Sequence, residues 1–324
     1  VIVISLVASS LWATDTQTVY KNRYAERATA SGSSFFKWQW ERLTTPNQRA
    51  PKQPILPVEP NLELIKSQNQ EVRVSWVGHA TVLLQVDGIS ILTDPHWGNI
   101  ASPIPYLGPK RHQAPGIPFE QLPPIDYVMI SHNHYDHLDY DTVQQLMNRS
   151  GGKTQFLVPA GVDQWFAANV SGTQLQGSLR NVIPFVWDQS LTIAGKQHHH
   201  EIRFLAVQHW SARGLFDRYE TLWGSWAFLG PDLKFWFSGD LGYSPDISDI
   251  YRQIGEVDLA AIAIGGYAPR WFMRFAHIDP NEAVQIMKEL HAKQALAIHW
   301  GTFENLTDEP LDEPPEKLAQ ALRD

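Results

Sequence analysis

Cysteine is absent from the 324 residues, so the chain uses neither a disulfide nor a thiol nucleophile. No Gly-x-Ser-x-Gly turn occurs, which removes the strand-to-helix serine nucleophile of the α/β-hydrolases. Basic charge is in short supply. Twenty-six Lys and Arg face 34 Asp and Glu, for a formal net charge of -8. With a pI near 5.9, that balance lacks the footprint needed to collect phosphates along a nucleic acid, and no nucleic-acid partner is expected. The apolar stretch Val1 through Ala13 has no initiating Met and is short for a membrane span of about 20 residues. It reads as a trimmed signal-peptide core or an uncleaved anchor over residues 1–20, with Leu11 too large for a clear cleavage site. Membrane association or export to the cell envelope is expected, and the lack of cysteine leaves the compartment open.

What the chain does have is a crowd of metal-ligand side chains. In Ser131-His132-Asn133-His134-Tyr135-Asp136-His137, three imidazoles and a carboxylate follow the apolar run Tyr127-Val128-Met129-Ile130. Imidazole nitrogen and carboxylate oxygen are first-choice donors for a borderline metal such as zinc. Left unmetallated at the mouth of a buried strand, each polar group would need another partner or cost about 1–3 kcal/mol. In extended backbone His132 and His134 point to one side, and a turn can aim Asp136 and His137 at a neighbouring point. One loop can therefore serve two adjacent metals.

Two metals need more donors than one loop supplies. Three further apolar runs end in a potential ligand: 202–207 leads to His209, 234–239 to Asp240, and 295–298 to His299. Singly, each has a bland reading, a rim histidine or a turn aspartate beside Gly239 and Gly242. Together they describe strand ends converging on one cleft.

The order HxHxDH, then His, Asp and His, resembles the metallo-β-lactamase fold of binuclear hydrolases. Gly78-His79-Ala80-Thr81, Thr93-Asp94-Pro95, Gln208-His209-Trp210-Ser211, Trp223-Gly224-Ser225-Trp226, Gly239-Asp240-Leu241-Gly242-Tyr243, Pro269-Arg270-Trp271-Phe272-Met273 and His299-Trp300-Gly301-Thr302-Phe303 are similar to one branch, the N-acylphosphatidylethanolamine-hydrolysing phospholipases D. The likeness runs from about Val74 to Phe303. It implies an αββα sandwich as a single catalytic domain, two zinc ions per chain and a homodimer. His132, His134 and His209 would hold one zinc, Asp136, His137 and His299 the other, and Asp240 would bridge them. Two cations about 3.5–4 Å apart lower the pKa of a shared water and neutralise charge at a phosphodiester, so no protein nucleophile is needed. Catalytic roles then fall on Asp136, Asp240 and His277. His277, just before the capping pattern Asp279-Pro280-x-Glu282, either meets the substrate phosphate or fixes its loop. Asp94 reads as a carboxylate orienting a ligand or as a turn residue before Pro95. His79 reads as a supporting residue that links two adjacent strand-like runs.

At 43% apolar the chain can bury a full core. Alternating patterns predict an α/β (α+β) domain over 71–324, with strands at 71–77, 81–87, 89–93, 127–131, 155–159, 202–207, 225–230, 234–238, 258–264 and 295–299. Helices are predicted at 139–148, 161–170, 245–254, 280–291 and 315–322. Residues 21–70 form an N-terminal arm and connector, with five prolines between 44 and 60 excluding a helix there. In the arm, Phe35-Phe36-Lys37-Trp38-Gln39-Trp40 reads as packing on the domain rather than as an interfacial helix face. The proline-rich segment from Ala101 to Pro124 is a candidate wall of the substrate cleft. His198-His199-His200 reads as a solvated hairpin tip.

Thirteen Trp and fourteen Phe suit an amphiphilic ligand. Trp271, Phe272, Met273 and Phe275 could meet acyl chains while Arg270 holds a phosphate or head group. The expected substrate is a phospholipid presented at a membrane surface, hydrolysed to N-acylethanolamine and phosphatidic acid. The alternatives are a related hydrolase acting on a lactone or another phosphodiester, and a non-catalytic metal-bound membrane sensor.

Overall fold

A computed structural model describes residues 19–25, 32–44, 49, 51, 55, 58–67, 71–104, 106–175, 178–214 and 216–324. The apolar segment 1–13 and much of the proline-rich connector lie outside the described residues. Among the described residues no helix is long and apolar enough to cross a membrane.

Two six-stranded sheets face each other. The first takes β1 (Arg73–Gly78), β2 (Thr81–Val86), β3 (Ile89–Thr93), β4 (Tyr127–Met129), β5 (Gln155–Pro159) and β6 (Val182–Phe185) in chain order. The second takes β7 (Ser190–Ala194), β8 (His199–Leu205), β9 (Ser225–Leu229), β10 (Lys234–Phe237), β11 (Leu259–Ala263) and β12 (Gln294–Ile298), also in order. Each begins with antiparallel hairpins and ends in parallel strands. Parallel neighbours need crossovers. In sheet one the 94–126 segment carries the chain from β3 to β4, and helices α3 (Tyr140–Ser150) and α4 (Val162–Asn169) join β4 to β5 and β5 to β6; in sheet two the crossovers hold α5 (Asp246–Ile254) and α7 (Pro280–Glu289).

The period-2 alternation of strands sorts the core into layers. Val82, Leu84, Ile91 and Leu157 meet Ile202, Phe204, Trp226, Phe228 and Phe237 between the sheets. Leu83, Leu92, Val128 and Phe156 point the other way, onto Val143, Leu146 and Phe166 of α3 and α4. Helix, sheet, sheet, helix is the αββα sandwich.

Within these two sheets, the strands that the pattern did not predict, β6 and β7, are edges; the two-residue pairs Lys110–Arg111 with Phe303–Glu304 and Gln174–Leu175 with Ser178–Leu179 also lie beyond the prediction. An edge strand needs little apolar alternation and tolerates the Pro184 of β6. The predicted elements match within a few residues, except that β8 starts at His199, while helices α2 (Leu62–Lys66) and α6 (Arg270–Met273) and the helix of the arm stand beyond those predicted. This corrects the hairpin-tip reading for one of the three histidines: His198 and His199 are exposed, but His200 is buried in the strand, stacked on Phe228 and 3.0 Å from Asp87. The Asp87 carboxylate also accepts from the backbone of Gln197 and His198, tying a hairpin of sheet one to one of sheet two.

The arm divides. In helix α1 (Gly32–Thr44), Trp38 is buried and stacks on Phe272 at 4.9 Å, as the packing reading expects. Phe36 and Trp40, however, are 75% and 68% exposed.

Trp226 links core and cleft. Its indole is fully buried against Phe185 and Phe204, and Nε1 donates to the carbonyl of Ile130 at 2.8 Å. Trp226→Phe should cost about 2–4 kcal/mol, from lost volume plus an orphaned carbonyl. At about 2–4 °C per kcal/mol for a domain of this order, thermal melts would show a drop of roughly 5–15 °C. A change under 2 °C would mean that this bond does not hold the loop.

Candidate metal centre

The site lies where the sheets' strand ends meet. After β4 the chain turns at Ser131 and runs through the HxHxDH loop; His209 follows β8, Asp240 follows β10 and His299 follows β12. The close passage of the loops requires glycine at 239, whose φ is +56° and whose added Cβ would meet Ser131 Cβ at 2.7 Å.

Two clusters result. His132, His134, His209 and Asp240 each place one donor atom within 4.8 Å of the others, and so do His79, Asp136, His137 and His299. Asp240 joins them. Its Oδ2 is 3.1 Å from His137 Nε2 and 3.9 Å from both His132 and His209 Nε2, while Oδ1 is 3.1 Å from His299 Nε2. Asp136 Oδ2 lies 3.0 Å from His79, 3.4 Å from His137 and 3.5 Å from His299. The structure thus brings together all seven residues that the resemblance assigned as ligands.

Neighbours set the tautomers. Asp94 accepts from the Ser131 amide at 2.6 Å, from its hydroxyl at 2.5 Å and from His137 Nδ1 at 2.7 Å. Ser131 Oγ in turn faces His132 Nδ1 at 2.9 Å, and the carbonyl of Ala276 accepts from His209 Nδ1 at 2.9 Å. With Nδ1 occupied as a donor, Nε2 of the neutral His132 and His209 turns its lone pair to the cleft, and Nε2 of His137 does so once its proton is displaced. Asp94 therefore occupies the ligand-orienting place rather than a turn alone. Ser131 has the same function and was not singled out from sequence, because a serine before a histidine carries no signal.

Charge divides the centre into halves. Burial pushes His134 and His209 down to about 3 and His132 down as well, so these imidazoles are neutral donors. Burial would also depress His299, but Asp240 and Asp136 outweigh it and lift it to about 9. His137 is raised likewise, and its charge with that of His299 holds Asp240 well below the carboxylate range against the opposing effect of burial.

The residues fit a metal. His137 Nε2, His299 Nε2 and Asp240 Oδ1 are buried without a hydrogen-bond partner among the described residues, aimed at one another across gaps that a proton or a cation reconciles.

The remaining expected residues scatter. His277 stands at the rim, its Nδ1 3.8 Å from Asp240 and without a hydrogen-bond partner, pushed down to about 3 by burial. His79 touches Asp136 and receives the backbone N–H of His299 on its carbonyl. Trp271 and Phe275 are each 38% exposed near His277. Arg270, Phe272 and Met273 are engaged within the chain. Arg270 is clamped to Glu282 and to the carbonyl of His277, Phe272 lies under Trp38, and Met273 is buried. Ser102, Pro103, Ile104 and Tyr106 of the proline-rich segment line a cleft of about 590 Å³ with Tyr135, Leu138, Trp165 and Arg213. The buried His96 and the half-buried Arg111, missed from sequence, brace this wall through the His96 carbonyl.

Sheets of this order with a shared carboxylate between two histidine clusters define a metal-dependent hydrolase. The beta-lactamase superfamily domain matches residues 90–300. The chain is 39% identical over 249 residues to the Caenorhabditis elegans N-acyl-phosphatidylethanolamine-hydrolyzing phospholipase D 1, covering 76% of this chain and 69% of that one. The chain belongs to the beta-lactamase superfamily and, within it, to the family of that phospholipase D. Solved structures agree on the fold. A metallo hydrolase from the archaeon Ignicoccus hospitalis superposes with a TM-score of 0.54 at 19% identity, over 77% of this chain and 91% of that one. The isothiocyanate hydrolase from Delia radicum gut bacteria gives 0.57 at 16% identity, over 76% and 91%.

Proposed function

We propose that the chain is a two-zinc phosphodiesterase of phospholipase D type, acting on N-acylphosphatidylethanolamine-like lipids at a membrane surface. The observation that supports it most is Asp240 standing between two histidine clusters in a chain of this family. His132, His134 and His209 would hold one zinc and Asp136, His137 and His299 the other. Bound there, the pair would supply an acidified water and neutralise phosphodiester charge.

The protein's own residues do the rest. Asp94, Ser131 and Ala276 fix the imidazole orientations before any ligand arrives. The neutral His277 at the rim can offer an N–H to a phosphoryl oxygen rather than a fixed positive charge. Exposed Trp271 and Phe275 beside it suit the lipid interface. Hydrolysis joins the oxygen of water to phosphorus and breaks the bond to the ethanolamine oxygen, which leaves with a proton.

The test is turnover of N-acylphosphatidylethanolamine in mixed micelles by zinc-loaded protein, beside soluble lactones and phosphodiesters. N-acylethanolamine and phosphatidic acid should appear, and His277→Ala should lower kcat by about 10²–10⁴-fold with metal content intact. Lactone turnover with no lipid turnover would refute the substrate assignment, and near-normal turnover by His277→Ala would remove that residue's role.

A further inference from the structure

The ligand His209 sits beyond the end of β8, where no strand among the described residues pairs with its backbone. Its peptide groups are nevertheless fully bonded. Asn22, 8% exposed, donates from Nδ2 to the His209 carbonyl at 2.9 Å and accepts the His209 N–H on Oδ1 at 2.9 Å, across 187 positions of sequence. A primary amide carries one acceptor and two donors in a plane, so it can occupy both backbone groups of one residue as a partner strand does. The ring end is held separately, through Ala276. Orientation of this ligand therefore depends on two clamps, and one of them comes from the N-terminal arm.

The arm is itself anchored around that contact. The amide of Tyr20 donates to the carbonyl of Tyr219 at 2.8 Å, Arg23 pairs with Asp188 and lies over Trp187, and Tyr24 Oη donates to Asp249 at 2.6 Å. Residues 19–25 thus form a strap that crosses from the loop after His209 to helix α5. It lies outside the residues matched by the superfamily domain.

We infer that Asn22 is a positioning residue for His209, so that the strap completes one metal position, that of His132, His134 and His209, and leaves the other untouched. The inference rests on the two-metal reading above. A side chain held by a bonded backbone presents its donor atom at one place, whereas a free backbone lets it wander and weakens the site. Partners of this outer kind typically change metal affinity by about 10–100-fold.

The experiment is stepwise metal release from the full chain, measured as metal per chain after dialysis against graded chelator, with the visible spectrum of the cobalt-loaded protein alongside. Asn22→Ala should release one of two equivalents at about 10–100-fold weaker chelation and keep the second at the wild-type strength. The cobalt spectrum should change in the half that is lost first. Ile250→Val in α5 serves as a stability control and should release both equivalents as the wild type does. Asn22→Asp, which keeps the acceptor for the His209 N–H but loses the donor to its carbonyl, should fall between, and decides the matter if the Ala variant does not fold. Wild-type release curves from the Asn22 variants would overturn the inference alone. Joint loss of both equivalents, tracking a fall in melting temperature that Ile250→Val reproduces, would also overturn it. A wild-type chain that never binds two metals would overturn the two-metal reading, and this inference with it.

Discussion

Asp240→Ala should abolish turnover, by on the order of 10⁴-fold or more, and should lower metal content per chain. Residues that act as one catalytic unit show losses of that size when a single member is removed. Asp240 belongs to both clusters: its two oxygens lie 3.1 Å from His137 and from His299, and 3.9 Å from His132 and His209. Removing it leaves three imidazoles on one side and His137 and His299 on the other without their chief counter-charge. Asp240→Asn separates shape from charge. It keeps the side-chain volume but supplies only a weak neutral oxygen, so its metal content should fall nearly as far. Elemental analysis beside kcat decides the point. Full metal content with turnover within tenfold of the wild type would place the bridging function elsewhere.

The second large effect is an opposite pH response of the metal-free and metal-loaded forms. In the metal-free protein His299 is lifted to about 9 by Asp240 and Asp136 against the opposing effect of burial. A group raised in the folded state contributes stability that is fully present below its unfolded value near 6.5 and lost as pH climbs through about 9. The loss is at most on the order of 3 kcal/mol from this residue. Asp240 is depressed, so its contribution is present above the ordinary carboxylate range and lost only in strong acid. Metal binding requires the same imidazoles unprotonated and releases their protons, so affinity strengthens over that same rise in pH. Melting temperatures from pH 6 to 9.5 should therefore fall with chelator present and hold or rise with excess zinc. Parallel curves would mean that the imidazoles carry no protons that the metal displaces.

The site was largely legible because its chemistry is concentrated. His132, His134, Asp136 and His137 fall within one loop, and a buried strand mouth gives such a cluster no other use. His209, Asp240 and His299 were legible as polar ends of apolar runs. Asn22 was not, since a single asparagine in an arm gains meaning only from the distant backbone it reaches. Ser131 was missed for a similar reason: its effect is on the tautomer of its neighbour. Aromatic residues misled in part. Phe272 is spelled like a lipid-facing residue, but Trp38 of helix α1 stacks on it, and a sequence does not show which aromatic another aromatic will cover. On the fold side, inner strands announced themselves by apolar alternation, while the edges β6 and β7, half relieved of burial, did not.

The division of the ligands between two sheets also bears on how the molecule is made. The loop of sheet one is complete once His137 has been synthesised, but His209, Asp240 and His299 belong to sheet two, and the last of them follows β12. Contacts so far apart in sequence form slowly, because loop-closure entropy is spent before they return anything. No early fragment of the chain therefore carries the whole donor set, so a metal that draws on both halves of the cleft is captured late in folding rather than nucleating it.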